Sequence, residues 1–190
     1  MRILMLGNSF IFTNDLPGVL AGLTGGEVVH HTRGGARLAE QLNPATGLGA
    51  KTQTALREEH WDYVVLQEMS NGPITSPQRF HDSVGKLCRQ IRDNGAVPVL
   101  YATWAYAPGS GKLAEMEMGY EEMTRRLSEA YHEAARQNHA LVADVGWRFF
   151  RMKEPVRLYA EDGIHPSPLG TRVAAETIAE VLANRETCSV

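Results

Sequence analysis

Residues 3–9 read ILMLGNS, which is four apolar residues followed by glycine, asparagine and serine. A short apolar run that ends at a turn residue is typical of a buried β-strand. Because strands that alternate with helices form parallel sheets, we predict an α/β fold, a three-layer α/β/α sandwich around a five-stranded parallel sheet with strand order 2-1-3-4-5. The other four predicted strands cover residues 27–31, 63–67, 97–101 and 141–144.

The segments between these strands carry helix signals. Asp15 stands two residues before Pro17, and this pair predicts a helix start because aspartate caps helix N-termini and proline fits the first turn. Gly95 marks the end of another helix. Besides the helix at Asp15, helices are predicted over residues 51–60, 77–94 and 169–184.

Residues 113–134 carry apolar side chains at alternating spacings of three and four. This pattern predicts one long helix that lays an apolar stripe on the sheet. The alternatives are a dimer seam, or a mobile methionine-rich cover over the functional site.

The composition is that of one folded domain over residues 1–190, with 43% hydrophobic and 22% charged residues. The net charge of −3 and the absence of a basic run argue against a nucleic-acid partner. No apolar stretch reaches the roughly 20 residues of a membrane span, and the N-terminal run is shorter than a signal-peptide core. We therefore expect a cytoplasmic protein with no membrane partner. The sequence leaves open whether the chain forms a homo-oligomer.

The two cysteines, Cys88 and Cys188, are too few for a metal cluster or a disulfide framework. We expect free thiols in a reducing compartment. The adjacent His30 and His31 lie in a predicted strand, so their rings point to opposite faces and cannot hold one metal ion together. His132 has no acidic partner at ligand spacing along the chain, and we expect it to be solvated or capping.

Ser9 follows the first strand and Gly7 directly. Ligands of such sheets bind beyond the carboxyl ends of the strands, so a turn here can expose the serine hydroxyl at the place where chemistry is expected. A following helix would direct its N-terminal N–H groups at the same spot and favour a developing negative charge. The alternative is an ordinary turn that uses small polar residues.

Asp162 and His165 lie in the sequence DGIHPSP, just before the last helix. A serine hydroxyl needs a base to take its proton, and histidine is the usual base near neutral pH. A carboxylate fixes the histidine tautomer and stabilises the imidazolium. The spacing lets Asp162 and His165 face each other across one tight turn, although a simple helix-capping turn fits the same residues.

Together these motifs resemble the SGNH hydrolase superfamily, also called the GDSL esterase/lipase family, and the pattern is similar to a less characterised bacterial-type branch of it. The resemblance runs from Gly7 to the last helix. It implies a flavodoxin-like SGNH hydrolase fold and a catalytic triad of Ser9, His165 and Asp162. It implies no metal and no other cofactor.

The resemblance also implies an oxyanion hole formed by the Ser9 and Gly35 backbone N–H groups and the Asn71 amide. Gly35 lies in the segment RGGARL at residues 33–38, and Asn71 follows the third predicted strand. Three positions depart from the family pattern: asparagine replaces the usual aspartate at position 8, Met69 replaces a glycine, and Gly72 replaces an aspartate. These departures leave open whether Asn71, Gln67 or the Ser70 backbone supplies the third donor.

Gln67, Glu68 and Trp104 follow the third and fourth predicted strands and are candidate substrate-binding residues. A carboxylate that stabilises the loop explains Glu68 as well as substrate binding does. Packing in the core explains Trp104 as well as substrate binding does.

The sequence thus favours a serine esterase that removes a small acyl group, such as an O-acetyl group on a carbohydrate, through an acyl-enzyme. The substrate is a small-molecule ester. The alternative is a non-catalytic glycan-binding module on the same scaffold. A flavodoxin-like cofactor binder is disfavoured because the chain lacks a Ser/Thr/Gly-rich phosphate loop after the first strand.

Overall fold

The computed structural model describes the backbone of residues 1–188 and the side chains of residues 1–185. Its five strands form one parallel sheet in the order β2-β1-β3-β4-β5, which confirms the predicted fold. The strands are β1 (Arg2–Gly7), β2 (Glu27–Thr32), β3 (Tyr63–Leu66), β4 (Val97–Ala102) and β5 (Leu141–Asp144).

Helices connect the strands and cover both faces of the sheet. Two short 3₁₀ segments, Thr13–Asp15 and Pro155–Leu158, accompany them. The helices are α1 (Ser9–Phe12), α2 (Leu16–Thr24), α3 (Leu38–Gln41), α4 (Gly47–Glu58), α5 (Gly72–Thr75), α6 (Pro77–Asp93), α7 (Gly111–Glu115), α8 (Tyr120–Asn138), α9 (Val145–Arg151) and α10 (Pro168–Cys188).

Successive side chains of each strand point to opposite faces, and both faces are buried. Ile3 and Met5 of β1 pack with residues of α1, α2, α9 and α10. Leu4 and Leu6 pack on the other side with residues of α3, α4, α6 and α8. Full burial of such a side chain contributes roughly 1.5–3 kcal/mol, so these two clusters fix the sheet between its helix layers and leave only its edges for polar chemistry.

The prediction of a single helix over residues 113–134 is wrong, because the chain forms two separate helices there, α7 and α8. Glu117 adopts a left-handed φ of 52° between the two helices, which a continuous α-helix does not allow. Leu113 of α7 and the first half of α8, through Met123 and Leu127, pack with Tyr106 in one cluster. Tyr131 and Ala134, further along α8, pack instead with residues of the sheet. The apolar side chains of residues 113–134 therefore pack on two different surfaces.

Two helix boundaries also differ from the prediction. Helix α4 begins at Gly47 rather than at residue 51, because the Thr46 hydroxyl accepts the Gly49 N–H at 3.0 Å and caps the helix. Gly49 lies so close to the Asn43 carbonyl that a Cβ would approach it to 2.0 Å. Glycine at position 49 is thus required by close packing. Helix α10 continues to Cys188, beyond the predicted end at residue 184.

No helix among residues 1–188 is long and apolar enough to cross a membrane. Cys88 is a buried free thiol, and burial raises its pKa to about 11. The prediction of a free thiol at Cys188 concerns a side chain outside the described residues.

Candidate active site

The N-terminal and C-terminal parts of the chain meet at the carboxyl edge of the sheet. Ser9 Oγ lies 2.9 Å from His165 Nε2, although the two residues are 156 positions apart. His165 Nδ1 lies 2.5 Å from Asp162 Oδ2. These distances form a continuous hydrogen-bonded chain from the serine hydroxyl through the imidazole to the carboxylate, with all three side chains in reach of solvent.

A tight turn holds Asp162 against His165. Asp162 Oδ1 accepts the backbone N–H groups of Ile164 and His165, both at 2.9 Å. Gly163 adopts a left-handed φ of 67° and lies against Ser110, where a Cβ would come within 2.8 Å of the serine Cβ. Partial burial raises the pKa of Asp162, but the hydrogen bonds from the His165 side chain and the two backbone N–H groups outweigh it, so the net pKa is lowered. Asp162 is thereby kept as a carboxylate facing the imidazole.

Asn14 joins the nucleophile segment to the histidine loop. Its Nδ2 donates to the Pro166 carbonyl at 2.9 Å and to the Thr171 hydroxyl at 3.0 Å. Asn14 has a left-handed φ of 53°, which asparagine tolerates better than most residues. The sequence reasoning missed this residue, since nothing along the chain links residue 14 to residue 166.

Trp104 lies beneath the triad, not in an open pocket. It is 0% exposed, and its ring stacks between Phe10 and Phe149 at centroid distances of 4.6 and 4.5 Å. Its Nε1 donates to the Ile164 carbonyl at 3.0 Å. Trp104 therefore has no surface with which to contact a substrate, and instead supports the residues next to Ser9 and His165.

Asn8 fixes the turn before Ser9. Its Oδ1 accepts the Phe10 N–H at 3.2 Å and so caps α1. Its Nδ2 donates to the Ala36 carbonyl at 3.0 Å. An aspartate has no donor for that carbonyl, which explains why asparagine suits this chain where the family pattern has aspartate.

The three predicted oxyanion donors come from three segments at this edge. Ser9 is the first residue of α1, a position whose N–H has no acceptor within the helix. Gly35 is exposed and adopts a left-handed φ of 66°, the conformation that favours glycine. Asn71 Nδ2 lies 3.5 Å from the Met116 sulfur, a weak acceptor. The Asn71 amide is therefore free to exchange this partner for a better one.

Gln67 and Glu68 are buried with 0% and 2% exposure, which does not fit the predicted contact with substrate. Gln67 Oε1 accepts the Asn8 N–H at 2.9 Å, and its Nε2 donates to the Glu68 carbonyl. The Glu68 carboxylate accepts backbone N–H groups of Leu38 and Met69. Burial raises the pKa of Glu68, and these two hydrogen bonds with the charges of Arg37 and Arg79 partly offset that rise.

A second serine–histidine–aspartate set lies at the end of β5. Asp144 Oδ2 accepts the Ser128 hydroxyl at 2.6 Å and lies 2.8 Å from His132 Nε2. The expectation that His132 has no acidic partner is therefore wrong, because the partner comes from another element. Asp144 Oδ1 also accepts the Trp147 N–H at 3.2 Å and caps α9.

His30 and His31 point to opposite faces of β2, as predicted. His30 is exposed, whereas His31 is 3% exposed with its Nδ1 3.0 Å from the Thr52 hydroxyl. Burial, with the nearby charge of Lys51, lowers the pKa of His31 to about 4. Among the described residues, no group of three or more histidine, cysteine or acidic side chains is arranged to hold a metal ion.

Comparison with known proteins assigns this chain to one family. A model described as the GDSL-like lipase/acylhydrolase family matches residues 8–173. The chain is similar to a solved structure from Slackia heliotrinireducens, a proposed SGNH hydrolase, with 50% identity and a TM-score of 0.92 over 96% of this chain and 98% of that one.

Two more distant structures share the fold. A DUF4886 family protein from Bacteroides uniformis has 21% identity and a TM-score of 0.73, covering 97% of this chain and 83% of that one. The structure of TesA has 17% identity and a TM-score of 0.71, covering 96% and 98%. No curated protein matches the sequence.

Proposed function

The chain belongs to the GDSL-like lipase/acylhydrolase family, whose members hydrolyse ester bonds, and on this premise we propose that it is a serine esterase for small acyl groups that works through an acyl-enzyme. The observation that carries the proposal is the 2.9 Å contact between Ser9 Oγ and His165 Nε2. A nucleophile within hydrogen-bond reach of its base, with the base oriented by a third group, is the arrangement that activates a serine.

In the proposed reaction, His165 Nε2 takes the Ser9 hydroxyl proton while Ser9 Oγ attacks the ester carbonyl carbon. Asp162 holds the imidazole with its Nδ1–H toward the carboxylate and stabilises the imidazolium. His165 then gives its proton to the leaving alcohol, and the acyl group remains on Ser9. Water enters, loses a proton to His165 and attacks the acyl carbon. The bond from the acyl carbon to Ser9 Oγ then breaks, His165 returns its proton to Ser9 Oγ, and the carboxylic acid is released.

The negative oxygen of the tetrahedral intermediate is assigned to the Ser9 and Gly35 N–H groups and to Asn71 Nδ2. Asn71 is a better third donor than Gln67, because both ends of the Gln67 amide already have strong partners, whereas Asn71 faces only a sulfur. A donor of this kind is typically worth about 3–4 kcal/mol of barrier.

Two features support a small acyl group on a larger polar alcohol. Met116, whose sulfur lies 3.5 Å from Asn71 Nδ2, packs with Ile74 and Ile164 on the cluster around Tyr106, and we expect these side chains to limit the length of the acyl chain. Gly34 and Gly35 are exposed and carry no side chain, and we expect the alcohol part of the ester to lie over them. An acetyl ester on a carbohydrate combines both properties.

A non-catalytic binding module is the less favoured reading. The departures from the family pattern at positions 8 and 69 favour it. The hydrogen bond from Asn8 to Ala36 gives position 8 a local structural reason that does not require loss of the reaction. A module that only binds does not require the contact between Ser9 Oγ and His165 Nε2.

The test compares turnover of p-nitrophenyl acetate, butyrate and octanoate with acetate release from an O-acetylated sugar, in the wild type and in Ser9→Ala. We expect kcat/KM to fall by about tenfold or more from acetyl to octanoyl, since the longer chain meets the packed side chains beside Asn71. Ser9→Ala should abolish all of these activities. An inactive wild type, or full activity in Ser9→Ala, would contradict the proposal.

A further inference from the structure

Glu68 joins two segments that are far apart in sequence. Its Oε2 accepts the Leu38 N–H at 3.2 Å, and its Oε1 accepts the Met69 N–H at 2.8 Å. Leu38 begins α3, directly after the turn that contains Gly35, and Met69 begins the loop that contains Asn71. One buried carboxylate thus holds together the two segments that carry Gly35 and Asn71.

We propose that Glu68 is a positioning residue that sets the separation between the Gly35 and Asn71 oxyanion donors. This inference rests on the proposed function, because it takes those two groups as the donors. Glu68 itself does not touch the reacting atoms, since it is 2% exposed. Its effect is transmitted through the two backbone N–H groups that it binds.

Close packing restricts the position of the Glu68 side chain. A Cβ on Gly72 would come within 2.9 Å of Glu68 Cγ, so glycine at position 72 lets the Asn71 loop lie directly on the glutamate. The family pattern has aspartate at position 72. Glycine at this position in the present chain therefore leaves the space that the Glu68 side chain, four residues earlier, occupies. A second carboxylate at position 72 would meet Glu68 at short range and repel it.

The Glu68 backbone extends the same network to the nucleophile. The Glu68 N–H donates to the Tyr131 hydroxyl at 3.3 Å. Its carbonyl accepts the Gln67 amide, and Gln67 in turn accepts the Asn8 N–H. The turn before Ser9 is therefore tied through Gln67 to Glu68, the residue that holds the Gly35 and Asn71 segments together.

The carboxylate is the group that this position requires. It offers one acceptor oxygen to each N–H, whereas glutamine offers one oxygen and would direct an N–H₂ donor at the other N–H. Burying a carboxylate is costly unless it is paired and hydrogen-bonded. Here the two N–H groups and the charges of Arg37 and Arg79 supply part of that compensation.

The test uses Glu68→Gln and Glu68→Ala in the full chain, with Leu182→Ala as the control. Leu182 is 1% exposed in the core cluster on the opposite face of the sheet from Leu38, so we expect its truncation to lower stability and to leave the contacts of Glu68 in place. Three quantities are measured: kcat and KM for p-nitrophenyl acetate, inhibition by a phenylboronic acid that forms a tetrahedral adduct on serine, and amide hydrogen exchange over residues 33–38 and 69–72.

We expect Glu68→Gln to lower kcat by about tenfold and Glu68→Ala by about 100-fold, with KM changed less than twofold, because an oxyanion donor acts only in the transition state. Boronate inhibition should weaken in parallel with kcat. Hydrogen exchange should accelerate in both segments together. Leu182→Ala should lower the melting temperature and leave kcat, boronate inhibition and exchange in the two segments as in the wild type.

Unchanged exchange in the two segments, or an unchanged kcat in Glu68→Ala, would overturn the inference while the esterase proposal stands. A loss of kcat in Leu182→Ala equal to that in Glu68→Ala would also overturn it, since the effect would then be one of global stability. An inactive wild type would instead overturn the esterase proposal, and with it the role of Glu68 in the oxyanion hole.

Discussion

Two sets of serine, histidine and aspartate lie in this molecule, and they differ in how the three side chains are connected. In one set, Ser9 contacts His165 Nε2 and Asp162 contacts His165 Nδ1. In the other, Ser128 and His132 both contact the same oxygen of Asp144. The residue types are the same, but only the first set places an imidazole between the hydroxyl and the carboxylate.

This difference decides which serine can be a nucleophile. A serine hydroxyl becomes nucleophilic when a base takes its proton, and Ser128 donates to a carboxylate that is a much weaker base than imidazole. Ser128 is also 4% exposed, so a substrate cannot reach it. The second set instead caps α9 and joins α8 to the end of β5, and its role is structural.

The largest expected effect comes from exchanging the two serines for alanine, one at a time. Ser9→Ala should lower kcat for p-nitrophenyl acetate by about 10⁴-fold or more, because the nucleophile is lost. Ser128→Ala should leave kcat unchanged and lower the free energy of unfolding by about 1 kcal/mol, because one buried hydrogen bond is lost. Steady-state kinetics and urea unfolding of both variants measure these effects.

Comparable losses of kcat in the two variants would remove the distinction between the two sets. Circular dichroism of Ser9→Ala serves as the control for folding. Ser9 is half-buried and makes its side-chain contact with His165 alone among the described hydrogen bonds, so the spectrum should match that of the wild type.

The two aspartates give the next comparison. Asp162→Asn should lower kcat by about 10²–10³-fold, because an asparagine amide facing Nδ1 favours the wrong imidazole tautomer. Asp144→Asn should keep kcat and reduce stability by about 1–2 kcal/mol, since Asp144 caps α9 and holds two further side chains. Equal losses of kcat in the two variants, or a loss of stability in Asp162→Asn alone, would contradict these assignments.

The sequence predicted the first set and not the second, for a physical reason. Asp162 and His165 share one turn, and Ser9 follows a strand whose end must lie near that turn in a parallel sheet. His132 and Asp144 belong to a helix and to the following strand, and their contact depends on how α8 packs on the sheet. Periodicity places an apolar face on α8, but does not say which polar residue lies beside the end of β5.

The same limit explains the errors around the site. The alternation of apolar runs and helices indicates a parallel sheet, and the common doubly wound arrangement gives its strand order, so the sheet could be predicted. The burial of Gln67, Glu68 and Trp104 could not, because their hydrogen bonds reach residues 59, 30 and 60 positions away. Residues of this kind at strand ends suggest a substrate-binding surface. In this structure Gln67, Glu68 and Trp104 instead form a buried layer beneath that surface.

His31 is expected to have no effect on kcat, and it extends the comparison to a histidine that has no carboxylate partner. Its pKa of about 4 lies below the ordinary value of 6.5, so the unfolded chain takes up a proton at a higher pH than the folded chain. Stability should therefore fall as the pH drops from about 6.5 to about 4, by up to about 3 kcal/mol, and stay level with respect to this group below that range.

Urea unfolding of the wild type and His31→Gln at several pH values checks this expectation. The glutamine amide can donate to Thr52 and does not titrate, so the variant should show a shallower fall of stability between pH 6.5 and pH 4. Parallel curves for the two proteins would mean that His31 does not remain neutral in the folded state.

The most direct test of the central claim is covalent labelling of the wild type with a fluorophosphonate, followed by intact mass measurement, peptide mapping and residual esterase activity. The reagent reacts with an activated serine and leaves ordinary hydroxyls unmodified. We predict one adduct per chain, on Ser9, with activity lost in proportion to labelling. An adduct on Ser128 or another residue, or full activity in protein labelled at Ser9, would contradict the claim that connectivity through His165 makes Ser9 the nucleophile.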